Sequence, residues 1–184
     1  MKKKVLIVVI CLFLAWCIRG AYVQNTVHHF EGTETYGFHE PVQFDNYQVE
    51  VVSFETERME TFCDKHDLDE SFNYIEDLYV GLVGVKVKNT TDDLSVEVPL
   101  YQMVIETKTS TNGMDLFLFQ ALHNNDTSTF SPYIMPGEEA YVEIPFTECS
   151  EYYGVEGNLF EQLPFAVTMS IYPVKKMVYL NDLW

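Results

Sequence analysis

The residues best suited to chemistry lie in an acidic segment at about positions 56–77. Cys63 and His66 are three positions apart within it, and a thiol beside an imidazole is the combination that cysteine nucleophiles use. A single Cys near a single His is nevertheless a weak signal, because any loop that contains both residue types produces it. We therefore interpret the two residues as part of a surface loop and assign them no catalytic role.

The same segment contains part of a calcium-binding pattern. Counted from Asp67, oxygen-bearing side chains occupy the first, third, fifth and seventh positions: Asp67, Asp69, Ser71 and Asn73. An EF-hand loop needs Gly at its sixth position and a bidentate Glu at its twelfth, where this chain has Phe72 and Leu78. An EF-hand is excluded, and an irregular Ca²⁺ site and a solvated acidic loop remain the two interpretations.

Motifs of catalytic and metal sites are absent from the rest of the sequence, which has no G-x-S-x-G, S-x-x-K, H-E-x-x-H or glycine-rich phosphate loop. His28, His29 and His39 are irregularly spaced without a Cys nearby, so we interpret them as solvated residues. The sequence therefore predicts no enzyme, no cofactor, and no catalytic, cofactor-binding or metal-binding residue. A hydrolase or enzyme accessory that uses some of the 28 acidic residues is the alternative.

The chain beyond its first 20 residues is strongly acidic. Four of the 11 Lys and Arg residues lie in those first positions, which leaves 7 basic against 28 acidic residues and a net charge of −21. Such a surface repels phosphate backbones and anionic lipid head groups, which excludes nucleic-acid binding. It attracts cations and basic partners, and it also keeps a secreted domain soluble.

Residues 1–20 form a hydrophobic targeting segment. Val5–Ile18 carries no charge, and as a helix it is about 21 Å long, shorter than the roughly 30 Å hydrocarbon core. A cleavage site is poorly formed and bulky Trp16 disfavours lipidation of Cys17, so we favour a retained membrane anchor over a cleaved signal. Three lysines precede the segment and Arg19 follows it, which places the rest of the chain on the extracytoplasmic side of the cell membrane, or secreted after cleavage.

Two regions follow the anchor. Residues 21–40 are polar and without period, which predicts a stalk, whereas residues 41–184 contain repeated short runs in which apolar and polar residues alternate. The longest runs are Tyr47–Phe54, Leu78–Asn89, Ala140–Phe146 and Phe165–Tyr172. Alternation with period two is typical of strands that bury one face, and turn residues separate the runs. The sequence predicts an all-β fold, an antiparallel β-sandwich of about seven or eight strands.

Two further elements are expected within this domain. An Asn-Gly turn at Asn112 predicts a hairpin that pairs Val104–Thr107 with Met114–Leu122. The acidic insertion at about 56–77 has only a partial helical stripe of apolar residues, so we expect a loop with one or two short helical turns there.

Three stretches of the domain together carry a family resemblance: Phe44–Phe54, Val85–Asp93 and Met135–Phe146. With them the chain resembles the immunoglobulin-like domains of unknown function in surface proteins and lipoproteins of Gram-positive bacteria. The resemblance implies an immunoglobulin-like sandwich and supplies no catalytic residues. Our first functional hypothesis is a non-enzymatic binding or adhesion-type module, tethered to the membrane, whose loops bind an unknown protein, a cell-envelope polymer or a cation. A Ca²⁺-dependent structural domain is the alternative.

The cysteines depart from the antibody-type pattern, in which a core disulfide packs against a buried Trp. The only Trp residues are Trp16 and Trp184, and Cys63 falls in the acidic insertion. Cys63 and Cys149 are 86 positions apart, and a disulfide between them would stabilise the fold by roughly 4 to 5 kcal/mol. Both are expected in loops, and the sequence leaves their pairing open.

Aromatic residues supply the last candidates for binding. Tyr152 and Tyr153, and Phe130 and Tyr133, lie in expected loops near acidic residues. Tyrosine-rich loops at the edge of a sandwich are suited to binding, but such rings also cap the ends of a core. We favour the second role.

Overall fold

In the part of the chain that the structure describes, two main β-sheets pack face to face and short α-helices lie at their margins. The computed structural model describes residues 16, 19, 32–72, 77–124, 126–171 and 173–184. The strands are β1 (Gly32–Tyr36), β2 (Val42–Gln43), β3 (Tyr47–Arg58), β4 (Leu78–Asn89), β5 (Val96–Glu97), β6 (Val104–Glu106), β7 (Thr111–Gly113), β8 (Tyr133–Ile134), β9 (Glu139–Cys149), β10 (Ala166–Ser170) and β11 (Val174–Tyr179). The α-helices are α1 (Met59–His66), α2 (Leu116–Leu122) and α3 (Leu159–Gln162), and short 3-10 helices cover Glu70–Phe72, Leu100–Gln102, Thr127–Phe130 and Ser150–Tyr153.

The first sheet has the strand order β1-β11-β10-β6-β7, and the second has the order β2-β3-β4-β9. β5 and β8 form a separate ladder. Among the described strands the chain crosses between the two main sheets four times, from β1 to β2, from β4 to β6, from β7 to β9 and from β9 to β10. The described residues form eleven strands where we predicted seven or eight, because five strands are only two or three residues long and too short to show a period.

The main hydrophobic core lies between the two sheets. Val83, Val85 and Val87 of β4 are fully buried in a cluster that also contains Ile105 of β6 and Val167 of β10. Branched side chains such as Val suit this position because their restricted rotamers pack well on a pleated surface. Side chains from both sheets share one core, which confirms the predicted β-sandwich at the level of a mostly β fold.

A second cluster covers the outer face of the second sheet at one end. It joins apolar residues of α1, α2 and β4: Met59, Phe62, Leu118, Leu78, Val80 and Leu82. β4 is therefore buried on both faces from Leu78 to Val85, and only near its far end do Lys86 and Lys88 reach solvent. We expected a half-buried strand throughout, and the two helices account for the difference.

The outer edge of β9 is covered by the segment from β7 to the end of α2. Three outward carbonyl groups of β9 accept hydrogen bonds there: Thr147 O from Asn112 Nδ2 at 2.7 Å, Pro145 O from Asp115 N at 2.9 Å, and Glu143 O from His123 Nε2 at 2.9 Å. Pro145 has no N–H of its own to offer. The edge of the second sheet is thus closed along much of β9.

Residues 32–36, which we assigned to the stalk, instead form strand β1 and run parallel to β11. Their side chains are largely polar and exposed, apart from Tyr36, so no apolar period marks the strand in the sequence. The sandwich is therefore not wholly antiparallel, and the domain begins earlier than position 41. Of residues 1–31 the structure describes only Trp16 and Arg19, so the predicted anchor and the start of the stalk lie outside the described residues.

The predicted hairpin is wrong in its second strand. β6 pairs with β7, and most of Met114–Leu122 is helix α2. The run LFLFQAL fits a strand or a helix by composition, but Asp115 decides the outcome, because its carboxylate accepts a hydrogen bond from Leu118 N at 2.9 Å. Leu118 and Phe119 then turn inward and are fully buried.

The acidic insertion contains the short helical turns that we predicted, namely α1 and the 3-10 helix Glu70–Phe72. β3 extends four residues further than its predicted end at Phe54, so the insertion begins as a strand. α1 ends at His66, and the next residue, Asp67, caps it in a left-handed conformation with φ of 53°.

Candidate functional site

A groove opens at the end of the sandwich where β4 finishes, between the β2–β3 turn and the β10–β11 turn. Two adjoining cavities of about 470 and 590 Å³ compose this end groove, and Phe44, Tyr47 and Ser170 line both of them. The other lining residues are Asp45, Asn46, Pro173, Val174 and Lys176 in the first cavity and Pro99, Gln102, Met169 and Ile171 in the second. The end groove thus draws on both sheets.

The β2–β3 turn positions an aromatic pair in the end groove. Phe44 N donates a hydrogen bond to Tyr47 O at 2.8 Å, which closes the turn at Asp45 and Asn46. The rings of Phe44 and Tyr47 stack with centroids 4.7 Å apart and an interplanar angle of 15°. Both residues are half-buried, so part of each ring faces the groove.

Lys176 of β11 brings a positive charge to the same pair. Its Nζ lies 4.8 Å from the centroid of the Phe44 ring, a cation–π contact. The same ammonium group donates a hydrogen bond to Gln43 O and lies 3.8 Å from a carboxylate oxygen of Glu34. These contacts hold the lysine against the ring at the rim of the end groove.

The polar groups of the end groove are mostly neutral. Burial, and then the nearby carboxylate of Asp45, raise the pKa of Tyr47, so its phenol stays protonated at neutral pH. Amide side chains of Asn46 and Gln102 and the Ser170 hydroxyl complete the lining. Ring faces beside amide and hydroxyl groups suit a polar ligand that also presents an apolar face.

The Cys63 and His66 region is not the surface loop that we expected. Cys63 lies in α1 and is only 2% exposed, within the second cluster. The His66 ring packs on Phe62 with centroids 4.3 Å apart. Cys149, also expected in a loop, is the last residue of β9 and belongs to the same cluster. Both cysteines are therefore parts of regular, buried elements.

The residues of the incomplete calcium pattern make local contacts. Asp69 Oδ1 accepts a hydrogen bond from Ser71 N at 2.7 Å, and this bond lowers the pKa of the Asp69 carboxyl. Within the described residues no three His, Cys, Asp or Glu side chains converge as metal ligands would, while Asn73 lies outside them. An irregular Ca²⁺ site and a solvated acidic loop both stay interpretations of this segment.

The three stalk histidines are divided by the described boundary. His28 and His29 lie outside the described residues, and His39 sits in a turn with φ of 66°. His39 Nδ1 is 3.8 Å from Glu50 Oε1, and the His39 ring meets Phe38 edge to face.

Of the four aromatic residues expected in loops, two cap the core and two are exposed as a binding role would require. Phe130 stacks on Phe119 at 4.6 Å, and Tyr153 packs against the main core. Tyr152 and Tyr133 are instead 78% and 70% exposed. They lie in different elements and do not line the end groove.

A chain of polar side chains closes the opposite end of the core. Ser110 Oγ lies 2.9 Å from Thr107 Oγ1 and 2.6 Å from the Tyr153 hydroxyl, which donates to Glu148 Oε2 at 3.1 Å. Glu148 is 8% exposed, and burial raises the pKa of its carboxyl. We interpret this chain as the hydrogen-bonded seal of that end.

The end groove was missed in the sequence because its two sides come from distant segments. Phe44 and Tyr47 flank a recognisable turn, which was the available signal, but Lys176 is 132 positions beyond Phe44. Only the pairing of β11 within the first sheet brings them together.

The part of the chain that the structure describes includes no helix both long and apolar enough to cross a bilayer.

A family model described as "Domain of unknown function (DUF5028)" matches residues 33–176. No curated protein matches the chain.

Three solved structures are similar to this chain at low identity. A conserved hypothetical protein from Bacillus anthracis has 12% identity and a TM-score of 0.46, over 72% of this chain and 87% of that chain. An uncharacterized beta-sandwich protein from Clostridium difficile 630 has 10% identity and a TM-score of 0.46, over 81% of this chain and 96% of that chain. A functionally unknown protein from Listeria monocytogenes EGD-e has 14% identity and a TM-score of 0.45, over 69% of each chain.

Proposed function

The chain belongs to the DUF5028 family of domains of unknown function, and we propose that it is a non-enzymatic binding or adhesion-type module on the extracytoplasmic side of the cell membrane. The end groove carries this proposal. Its stacked rings of Phe44 and Tyr47 and the adjacent ammonium group of Lys176 form a shaped, partly apolar surface that a ligand can reach.

The partner is a protein or a cell-envelope polymer. A net charge of −21 beyond residue 20 disfavours polyanionic polymers, because the field of the whole domain repels them. Neutral amide and hydroxyl groups beside an aromatic face instead favour an uncharged chain, such as a glycan or an extended peptide.

The N-terminal hydrophobic segment serves as the tether in this proposal. β1 begins at Gly32 opposite Val174, and Val174 lines the end groove. The chain therefore enters the domain at the end that carries the groove. A module anchored through residues 1–20 presents this end toward the membrane, so its partner lies in the inner part of the envelope.

The strand order supports kinship with immunoglobulin-like domains. Those domains place strands A, B and E in one sheet and strands C, F and G in the other. β3, β4 and β9 take the A, B and E places here, and β6, β10 and β11 take the C, F and G places. We propose this kinship, and the Gram-positive surface location that it implies, together with the binding role.

A binding experiment with cell-envelope material of the producing organism tests the proposal. The full chain is compared with Phe44→Ala and Lys176→Gln variants, which remove the ring wall and the adjacent charge of the end groove. We expect each variant to retain its fold and to lose about tenfold or more in affinity, as for a central contact residue.

Tyr152→Ala is the control, because it removes an exposed aromatic ring at the opposite end of the sandwich. It should bind as the unaltered chain does. Equal binding by all four proteins, or loss only with Tyr152→Ala, would place the binding surface elsewhere and refute the proposed site.

A further inference from the structure

Two cysteines that are 86 positions apart in the sequence meet in one small buried cluster. Cys63 is 2% exposed on α1 and Cys149 is 3% exposed at the end of β9. The other members of the cluster are apolar: Met59, Phe62, Leu78, Val80, Leu82 and Leu118.

The strand register explains why the two residues approach each other. Arg58, the last residue of β3, lies opposite Tyr79 of β4, and Tyr79 lies opposite Glu148 of β9. The start of α1 is therefore about two strand spacings, roughly 10 Å, from the end of β9. α1 follows β3 directly and packs against β4, and Cys63, about 6 Å along the helix axis from Met59, belongs to the same buried cluster as Cys149 of β9.

Both side chains also lie on the same side of the second sheet. Cys149 pairs with Leu78 across the β4–β9 ladder, and Leu78 is in the outer cluster that α1 covers. Residues directly opposite in an antiparallel pair point to the same face. The Cys149 side chain thus points toward the layer that contains α1.

We propose that Cys63 and Cys149 form a disulfide bond when the chain folds in an oxidising compartment, which rests on the extracytoplasmic location proposed above. The thiolate of one cysteine attacks the disulfide of a thiol–disulfide oxidoreductase, and a mixed disulfide forms. The second thiolate displaces the oxidoreductase sulfur, so the pair gives up two electrons and two protons and the oxidoreductase leaves as a dithiol.

The bond would join the acidic insertion to the central strands. It closes a loop of 86 positions, and it forms before or during the burial of the cluster, because folded side chains at 2% and 3% exposure are shielded from oxidants. The same burial protects the finished bond from reductants.

Peptide mapping of the full chain tests the inference. Cells are quenched in acid, thiols are alkylated under denaturing conditions, and the protein is digested without reductant. We expect one linked peptide pair that contains Cys63 and Cys149. Alkylation of both residues, or their linkage to Cys11 or Cys17 of the N-terminal segment, would overturn the proposal when the domain is outside the cell.

A second experiment distinguishes a failure of the proposed disulfide from a failure of the proposed extracytoplasmic location. The purified full chain is unfolded, reduced, and refolded with glutathione disulfide, and protease added to intact cells reports on which side the domain lies. Failure to link in vitro overturns the disulfide. Linkage in vitro, with both thiols reduced in cells and the domain protected from protease, upholds the disulfide and refutes the extracytoplasmic location.

The melting temperature measures how much the disulfide stabilises the fold. Oxidised protein should melt about 10 °C above the same protein after it has been unfolded, reduced and refolded in reductant, as expected for a long closed loop. The Cys63→Ala/Cys149→Ala double variant is the control and should show no response to reductant. An unaltered melting temperature in the unsubstituted protein would show that no bond forms between them.

Discussion

Single residues decide several features that the sequence pattern only suggests. Asn89 is the clearest case, because the sequence predicts that β4 ends there in a turn and the structure shows why. Its side chain is buried, donates hydrogen bonds to Leu94 O at 2.7 Å and Ile134 O at 2.9 Å, and accepts one from Thr91 N at 2.8 Å. The turn was predictable from residue type, whereas the tie to β8 required the three-dimensional structure.

Gly81 is required by close packing rather than by backbone conformation. A Cβ at this position would lie 2.8 Å from ring atoms of Phe160, which is fully buried and cannot easily move. We expect Gly81→Ala to lower the free energy of unfolding by about 1 to 3 kcal/mol, the usual effect of overpacking a core. Urea unfolding followed by circular dichroism measures this change.

Gly113→Ala is the matched control, since a Cβ there meets no atom within 4 Å. Its stability should stay close to that of the unsubstituted chain. A similar loss in both variants would mean that glycine matters in these strands for a reason other than the Phe160 ring.

Glu148 makes stability depend on pH. Burial raises the pKa of its carboxyl in the folded state above the ordinary value of 4.5, so the folded state holds a proton that the unfolded state has already released. The contribution of Glu148 to stability therefore falls as pH rises through the range above about 4.5. Glu148→Gln should remove this decline and be more stable than the unsubstituted chain at pH 7, but not at pH 4.

Unfolding midpoints in urea at several pH values test this expectation. Glu151→Gln, an exposed change in the adjoining segment, controls for the removal of one negative charge from an acidic protein. Parallel pH profiles for the unsubstituted chain and Glu148→Gln would contradict the assignment.

At the scale of elements, strands were predictable where they are long and carry an apolar stripe. β3, β4 and β9 were located from alternation alone, because each presents at least two Val, Ile or Phe side chains to the core at alternate positions. β1 was missed because its polar side chains carry no such signal. α2 was missed because the capping by Asp115, not the apolar content of the run, determines its backbone.

β1 should therefore contribute stability that the sequence pattern hides. A fragment of residues 32–184 contains this strand, whereas a fragment of residues 41–184 begins at the boundary that the sequence suggests. We expect the shorter fragment to melt several degrees lower, because the five residue pairs between β1 and β11 are lost and β11 becomes an open edge. Differential scanning calorimetry measures the difference.

The comparison has a built-in control in fragment 36–184, which removes most of β1 but keeps the Tyr36 ring that packs on the core. Its melting temperature should be close to that of fragment 41–184, because the pairing of β1 with β11 contributes more to stability than the Tyr36 ring does. Equal melting temperatures for all three fragments would show that β1 adds nothing to stability.

At the scale of the whole molecule, the net charge of −21 beyond residue 20 destabilises the folded state, because the negative charges repel one another. Salt screens such repulsion, with a Debye length of about 30 Å at 0.01 M and about 10 Å at 0.1 M. We expect the melting temperature of fragment 32–184 to rise by a few degrees when NaCl increases across this range.

The Asp92→Asn/Asp93→Asn double variant is a suitable comparison, because both residues are exposed in the turn after β4. It should melt higher at low salt and respond less to NaCl. A melting temperature that falls with salt would mean that ion pairs, such as that of Lys86 with Glu139 at 2.9 Å, outweigh repulsion.

The position of the end groove is also a property of the whole molecule. Composition and charge limit the kinds of partner that we consider, because these quantities do not depend on the fold. The location of the groove depends on which strands become neighbours, and local residue patterns do not contain that information. Strand pairing between segments more than 100 positions apart had to be observed.

The covered edge of β9 affects whether copies of the protein associate with one another. Amyloid-like stacking begins when an outer strand offers unused main-chain groups to an identical strand from another molecule. Here the carbonyls of Glu143, Pro145 and Thr147 are already occupied by the protein's own loop and helix. Neighbouring molecules therefore cannot use these carbonyl groups for strand pairing, and this edge of β9 is protected against fibre growth.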